Sequence, residues 1–135
     1  MSQKQNSDLA QKLLAAIGSG ADPDSIAALF SDDVLFEIPG DDGVLPWIGR
    51  KTGRGAVADF IRGTRSLTEP VKFDIQDVLA SEDRAVIVGE LATRIKATGK
   101  MIESAIAIIL TVSDGRISRF QMLEDSFEVS RAARQ

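Results

Sequence analysis

The first apolar positions are Leu9, Leu13, Ala16 and Ile17, a spacing of four, three and one that makes a single helical stripe. Ser7 stands where an N-cap belongs, and Gly18 and Gly20 end the segment. Asp22-Pro23 supplies a second N-cap with proline at the first helical position. Ile26, Leu29 and Phe30 form the apolar face of that short helix. The period then changes: Val34 to Ile38 reads as a strand, stopped by Pro39-Gly40 and Asp41-Asp42-Gly43. A third helix opens at Thr52 or Gly53 with Val57, Phe60 and Ile61 inward, and Glu69-Pro70 breaks the chain again. Four β-rich runs follow, Val71–Leu79, Ala85–Lys96, Met101–Val112 and Arg116–Glu124, separated by short polar or glycine-bearing hairpin turns. Asp125 through Arg134 is helical again, and Asp125 with Glu128 resembles a capping box. Residues 1–6 are polar and are expected as a frayed tail.

Helices first and an antiparallel meander later indicate an α+β fold, and 135 residues fit one domain spanning 1–135. Three N-terminal helices cover one face of the sheet. Apolar and charged contents of 44% and 27% are those of a globular protein. The net charge of −4 argues against a nucleic-acid partner. The longest apolar run, Ala105 to Leu110, is too short for a bilayer, and the N-terminus lacks a signal-peptide core. A cytoplasmic protein without a membrane partner is expected. Three absences narrow the chemistry further. There is no Cys, no His and no Tyr, so thiolate, imidazole and phenol chemistry are closed. No Asp-x-Asp-x-Asp-Gly loop suggests a hard-cation site. Neither a metal nor a cofactor is expected.

The order of elements resembles the nuclear-transport-factor-2-like superfamily, in its SnoaL-like or ketosteroid-isomerase-like branch. Four pieces carry the resemblance, from about Asp8 to Ala132: Leu29 to Val34; Leu45 to Arg50 with Gly53 to Val57 and Phe60; Thr98-Gly99-Lys100; and Asp114 to Ile117 with Arg119-Phe120 and Glu124 to Ser126. The resemblance implies a cone-shaped α+β barrel, with helices on a curved, mainly antiparallel sheet around an apolar pocket. It also implies a homodimer through the outer sheet face. Met101–Val112 fits that, with Ile102, Ile106 and Ile108 on one face and Ala105, Ala107 and Ile109 on the other.

The resemblance locates the acids used by relatives, and most are missing. The isomerase base would fall at Ile38, its second acid in the apolar Ile106–Ile109 run, and its oxyanion tyrosine does not exist in this chain. Ketosteroid isomerisation is therefore not expected. Epoxide hydrolases and polyketide cyclases of this fold often carry an acid at the position of Met122. Glu90 and Arg94 lie near the expected charge cluster of the hydrolases, but a register slip of one residue reverses their facing. Glu124 remains. Alternation puts it on the face of Phe120 and Met122, opposite Arg119, Gln121 and Leu123. Desolvated there, its carboxyl becomes a general acid or base; frayed, it faces water or pairs with a cation. Trp47 either meets a flat ligand at the pocket entrance or plugs the core beneath its loop. Phe36, Ile38, Phe120 and Met122 are the expected pocket wall. Arg50 and Arg54 either steer an anion or hold carboxylates. Asp41 and Asp42 read as turn residues.

Two functions follow. One is a small-molecule enzyme performing isomerisation, cyclisation or hydration of an apolar, cyclic or polyketide-like substrate by proton transfer at Glu124. The alternative is a noncatalytic module binding a small hydrophobic ligand.

Overall fold

The computed structural model describes residues 2–135. Helix α1 (Gln3–Gly18) is capped by Ser2, not Ser7. The Ser2 hydroxyl accepts from the Gln5 N–H, and the Gln5 side chain accepts from the Ser2 N–H. The expected frayed tail is thus helical from Gln3; Met1 lies outside the described residues. Asn6 supplies the tertiary reason. It is fully buried, and its Nδ2 donates to the Ser81 carbonyl at 2.9 Å, tying α1 to a distant β-turn.

Helix α2 (Pro23–Ala27) is capped by Asp22 as expected, with the carboxylate accepting from the Ser25 N–H. Phe30 is not on its apolar face. It opens β1 (Phe30–Ile38), which starts earlier than Val34 because Phe30 pairs with Ile117. Strand β2 (Gly49–Thr52) pairs with Leu35–Ile38 and has no apolar alternation that would announce it. Helix α3 (Arg54–Leu67) then buries Val57, Ala58 and Ile61, with Val57 and Ile61 each contributing about 1.5–3 kcal/mol.

Helix α3 passes directly into β3 (Thr68–Ala80), so Glu69-Pro70 does not break the chain as expected. Strand β3 is an edge strand, where proline need not donate to a ladder, and the register slips between Pro70 and Lys72. Strands β4 (Arg84–Ile95), β5 (Met101–Ser113) and β6 (Arg116–Leu123) complete the meander close to the expected boundaries. The order is β2-β1-β6-β5-β4-β3, with β1–β6 parallel and the other pairs antiparallel. The α+β class stands, but the sheet stays open, with β2 and β3 at its edges, rather than closing into a barrel. Register irregularities in β3 and at Thr111/Val112 bend it. Gly89 faces the irregular part of β3, where a Cβ would overlap the Asp74 carbonyl oxygen.

Register also settles the facing. Ile87, Ile108, Met122, Leu110 and Phe120 lie buried on the inner face. Val86, Val88, Ala105, Ala107 and Ile109 take the outer face and are at least partly exposed. Glu90 and Arg94 both fall on that outer face. Helix α4 (Ser126–Ala133) buries Val129 and Ala132. Only half of its capping box forms: Asp125 accepts from the Glu128 N–H, while Glu128 binds Arg131. Asp41 does more than turn the chain, since it accepts from Ser130 Oγ and Arg134 and ties the 39–48 loop to α4. Among the described residues, no helix is long and apolar enough to cross a membrane.

Candidate functional site at the end of β6

Alternation along β6 buries Phe120 and Met122 and exposes Leu123. The β5–β6 ladder ends at the Ala107–Leu123 pair, so Glu124 sits between the strand end and α4. It is not frayed into water. The next residue is pinned, with the Asp125 N–H donating to Ser104 Oγ at 2.8 Å. Glu124 is half-buried, and among the described residues no hydrogen bond or ion pair reaches its carboxylate. Burial without a compensating donor pushes its pKa from the ordinary 4.5 up to about 7. A carboxyl in that range can both hold and release a proton at neutral pH.

The expected wall residues Phe36, Ile38, Phe120 and Met122 are all buried on the inner face. Phe36 and Phe120 stack with centroids 4.7 Å apart and planes 5° from parallel. Such a pair adds about 0.5–1.5 kcal/mol beyond its buried area. Phe60 of α3 tilts against Phe36 at 5.2 Å, and Trp47 meets Phe60 edge-on at 6.0 Å. Trp47 is only 8% exposed, and a Cβ on Gly63 would come within 3.1 Å of its ring. The indole is therefore packed against α3 beneath its own loop. Ile38 is fully buried, one register step beyond the Glu37–Gln121 pair, which places it next to Met122. Along β6 the order is Phe120 in the aromatic cluster, Met122 in register with Ile38, and Glu124 one residue past the strand end.

Ser104 was not legible as a site residue, because its role depends on where α4 crosses β5. Its hydroxyl donates to the Ala105 carbonyl as well as accepting from Asp125. The two candidate arginines hold carboxylates: Arg50 Nε donates to Glu37 at 2.6 Å, and Arg54 pairs with Asp32 and donates to the Phe30 carbonyl. Glu90 pairs with Lys72 at 3.5 Å, and Arg94 donates to the Gly99 carbonyl. Two surface hollows open mainly among outer-face residues. One, of about 350 Å³, is bounded by Lys72, Glu90, Ala92 and Glu103. The other, of about 290 Å³, is bounded by Leu35, Glu37, Arg50 and Arg119.

An open, mixed six-stranded sheet with helices packed over its inner face is the α+β cone of the nuclear-transport-factor-2-like proteins. Within that class, the chain belongs to the SnoaL-like domain family, which matches residues 10–120. Solved structures agree on the fold. An NTF2-like protein from Burkholderia xenovorans LB400 is 24% identical with a TM-score of 0.88, covering 99% of both chains. A candidate isomerase from Bacillus subtilis is 21% identical with a TM-score of 0.78, over 98% of this chain and 95% of that one. A candidate SnoaL-like polyketide cyclase from Mesorhizobium loti is 14% identical with a TM-score of 0.70, over 86% and 96%. At these identities the likeness is one of fold. No curated protein sequence matches the chain.

Proposed function

We propose that this protein is a small-molecule enzyme of the SnoaL-like type in which Glu124 transfers a proton to or from an apolar, cyclic or polyketide-like substrate. The observation that carries this is a half-buried carboxyl without a partner among the described residues, its pKa raised to about 7 by burial, two residues past Met122. The chemistry class is isomerisation, cyclisation or hydration. Phe36, Ile38, Phe120 and Met122 form the apolar wall, and Trp47 reaches substrate only where its loop yields, since it is packed against α3. Deuterium exchange α to the carbonyl of 2-tetralone in D2O, followed by proton NMR, tests the proton transfer on an apolar cyclic ketone. The native protein should exchange faster than buffer, with a pH limb near 7, and Glu124→Gln should return the rate to background. Equal exchange by the variant would remove Glu124 from the mechanism.

One observation favours a noncatalytic binding module instead. Ser104, whose hydroxyl accepts from the Asp125 N–H, is already engaged on both sides. It offers no free donor to an oxyanion. Saturable quenching of Trp47 by 2-tetralone without any exchange would select that reading.

The outer face supports a homodimer in either case. Val86, Val88, Ala107 and Ile109 are apolar and half-exposed at the centre of the sheet, which a second copy would cover. A purely monomeric sedimentation profile at micromolar concentration would count against it.

A further inference from the structure

The outer face carries a polar assembly that proton transfer at Glu124 does not use. Glu37 of β1 lies there with its side chain only 17% exposed. Register builds the assembly. Glu37 pairs with Arg50 across β1–β2 and with Gln121 across β1–β6, and Leu35 pairs with Arg119. Glu37 Oε2 accepts from Arg50 Nε at 2.6 Å, and Oε1 accepts from Gln121 Nε2 at 3.3 Å. A terminal nitrogen of Arg119 stands 3.7 Å from the same Oε1. One carboxylate thus braces a guanidinium on each side. Arg50 uses only its Nε in this contact, so its two terminal nitrogens remain directed elsewhere.

Those arginines border the hollow of about 290 Å³, together with Leu35, Lys51 and Thr52. Its volume is near the lower end of ligand clefts, about 300–1,000 Å³. Two guanidiniums, those of Arg50 and Arg119, stand on this face against the single carboxylate of Glu37, an excess of one positive charge in a chain of net charge −4, while Lys51 pairs with the inward-facing Phe36 and borders the hollow by its backbone. Each oxygen of the carboxylate already accepts from a donor, which directs part of its charge toward Arg50 and Gln121. The donors open to an entering anion are the terminal N–H groups that Arg50 does not use on Glu37. Braced guanidiniums also lose less side-chain freedom on binding than free ones. Leu35, 53% exposed, gives the hollow one apolar side.

We propose that this hollow is a binding site for a small oxyanion, an organic carboxylate or a phosphate ester, held between Arg50 and Arg119 with Glu37 as their brace. It lies at the β1–β2 margin of the outer face, clear of the apolar centre on β4 and β5.

The test is a titration of the 15N-labelled protein at constant ionic strength, with inorganic phosphate in one arm and benzoate in the other. Saturable amide shifts confined to Leu35, Arg50, Lys51, Thr52 and Arg119 are expected with at least one probe, and which probe saturates identifies the oxyanion. Arg50→Gln, at a side chain 83% exposed and so safe for the fold, and Arg119→Gln should each weaken binding at least fivefold. Glu37→Gln separates a braced clamp from plain charge attraction: the clamp predicts weaker binding, whereas attraction alone predicts tighter binding. Shifts that fail to saturate with both probes, shifts reproduced by sodium chloride, or binding unchanged or tightened in Glu37→Gln would each overturn the proposal.

Discussion

Glu124→Gln should make the protein more stable, and only above a particular pH. Below about pH 4.5 the native carboxyl is protonated in both folded and unfolded chains, and its burial costs little. Between 4.5 and about 7 the unfolded chain ionises while the folded one keeps its proton, so folded stability falls as pH rises. Above about 7 both are ionised and the loss is complete. The gap between the two values corresponds to roughly 3 kcal/mol. Glutamine fills nearly the same volume and never ionises. The variant's advantage should therefore grow from near zero at about pH 4 to roughly 3 kcal/mol at about pH 8. The composition makes this window unusually clean, because the chain has no histidine to titrate within it. Glu37 and Asp41 work in the opposite sense. Hydrogen bonds, from Arg50 to Glu37 and from Ser130 and Arg134 to Asp41, hold their pKa values below the ordinary range. What they contribute is present above the unfolded values and is lost as pH falls through the folded ones. Being common to both proteins, they cancel in the comparison. Urea unfolding followed by the fluorescence of Trp47, the single and buried tryptophan, measures the difference at each pH. Parallel stability curves for the two proteins would refute the reasoning, since they would show that Glu124 titrates alike in both states.

Gly89→Ala should cost about 3 kcal/mol or prevent folding, because the added methyl meets the rigid Asp74 carbonyl rather than a side chain that can turn away; a thermal melt within a few degrees of native would contradict this. Gly63→Val should destabilise by about 1–3 kcal/mol and shift the Trp47 emission, since its Cβ would stand 3.1 Å from the indole; an unchanged spectrum would mean the ring is not seated there. Asp41→Ala should speed amide exchange in α4 and the 39–48 loop together while leaving β4 and β5 protected, because the carboxylate joins Ser130 and Arg134 to that loop.

The sequence made those elements legible whose stabilisation is local. The β4 to β6 runs and the Asp22-Pro23 and Asp125 caps follow from alternation and capping alone. Apart from Glu128, which binds the nearby Arg131 instead of completing its capping box, the misses share one cause: each depends on a partner far along the chain. Strand β2 is set by pairing with β1, the start of α1 by Asn6 reaching Ser81, and the tolerance of Pro70 by the edge position of β3. The candidate site divides in the same way. Period-2 alternation predicted the shared burial of Phe120 and Met122 and pointed to Glu124, just past the end of β6, as the acid to follow; along β1 it sets Glu37 opposite Ile38. It could not say that one carboxylate would end without a partner and the other beneath two arginines. That difference comes from which strand lies alongside. Glu37 sits mid-strand, where the neighbours β2 and β6 deliver Arg50, Gln121 and Arg119. Glu124 lies one residue past the last rung of its ladder, where the adjacent backbone is held by Ser104 and, among the described residues, no cation pairs with it. The two glutamates are thereby shifted in opposite senses, Glu37 held below the ordinary range chiefly by the Arg50 hydrogen bond and Glu124 raised to about 7 by burial.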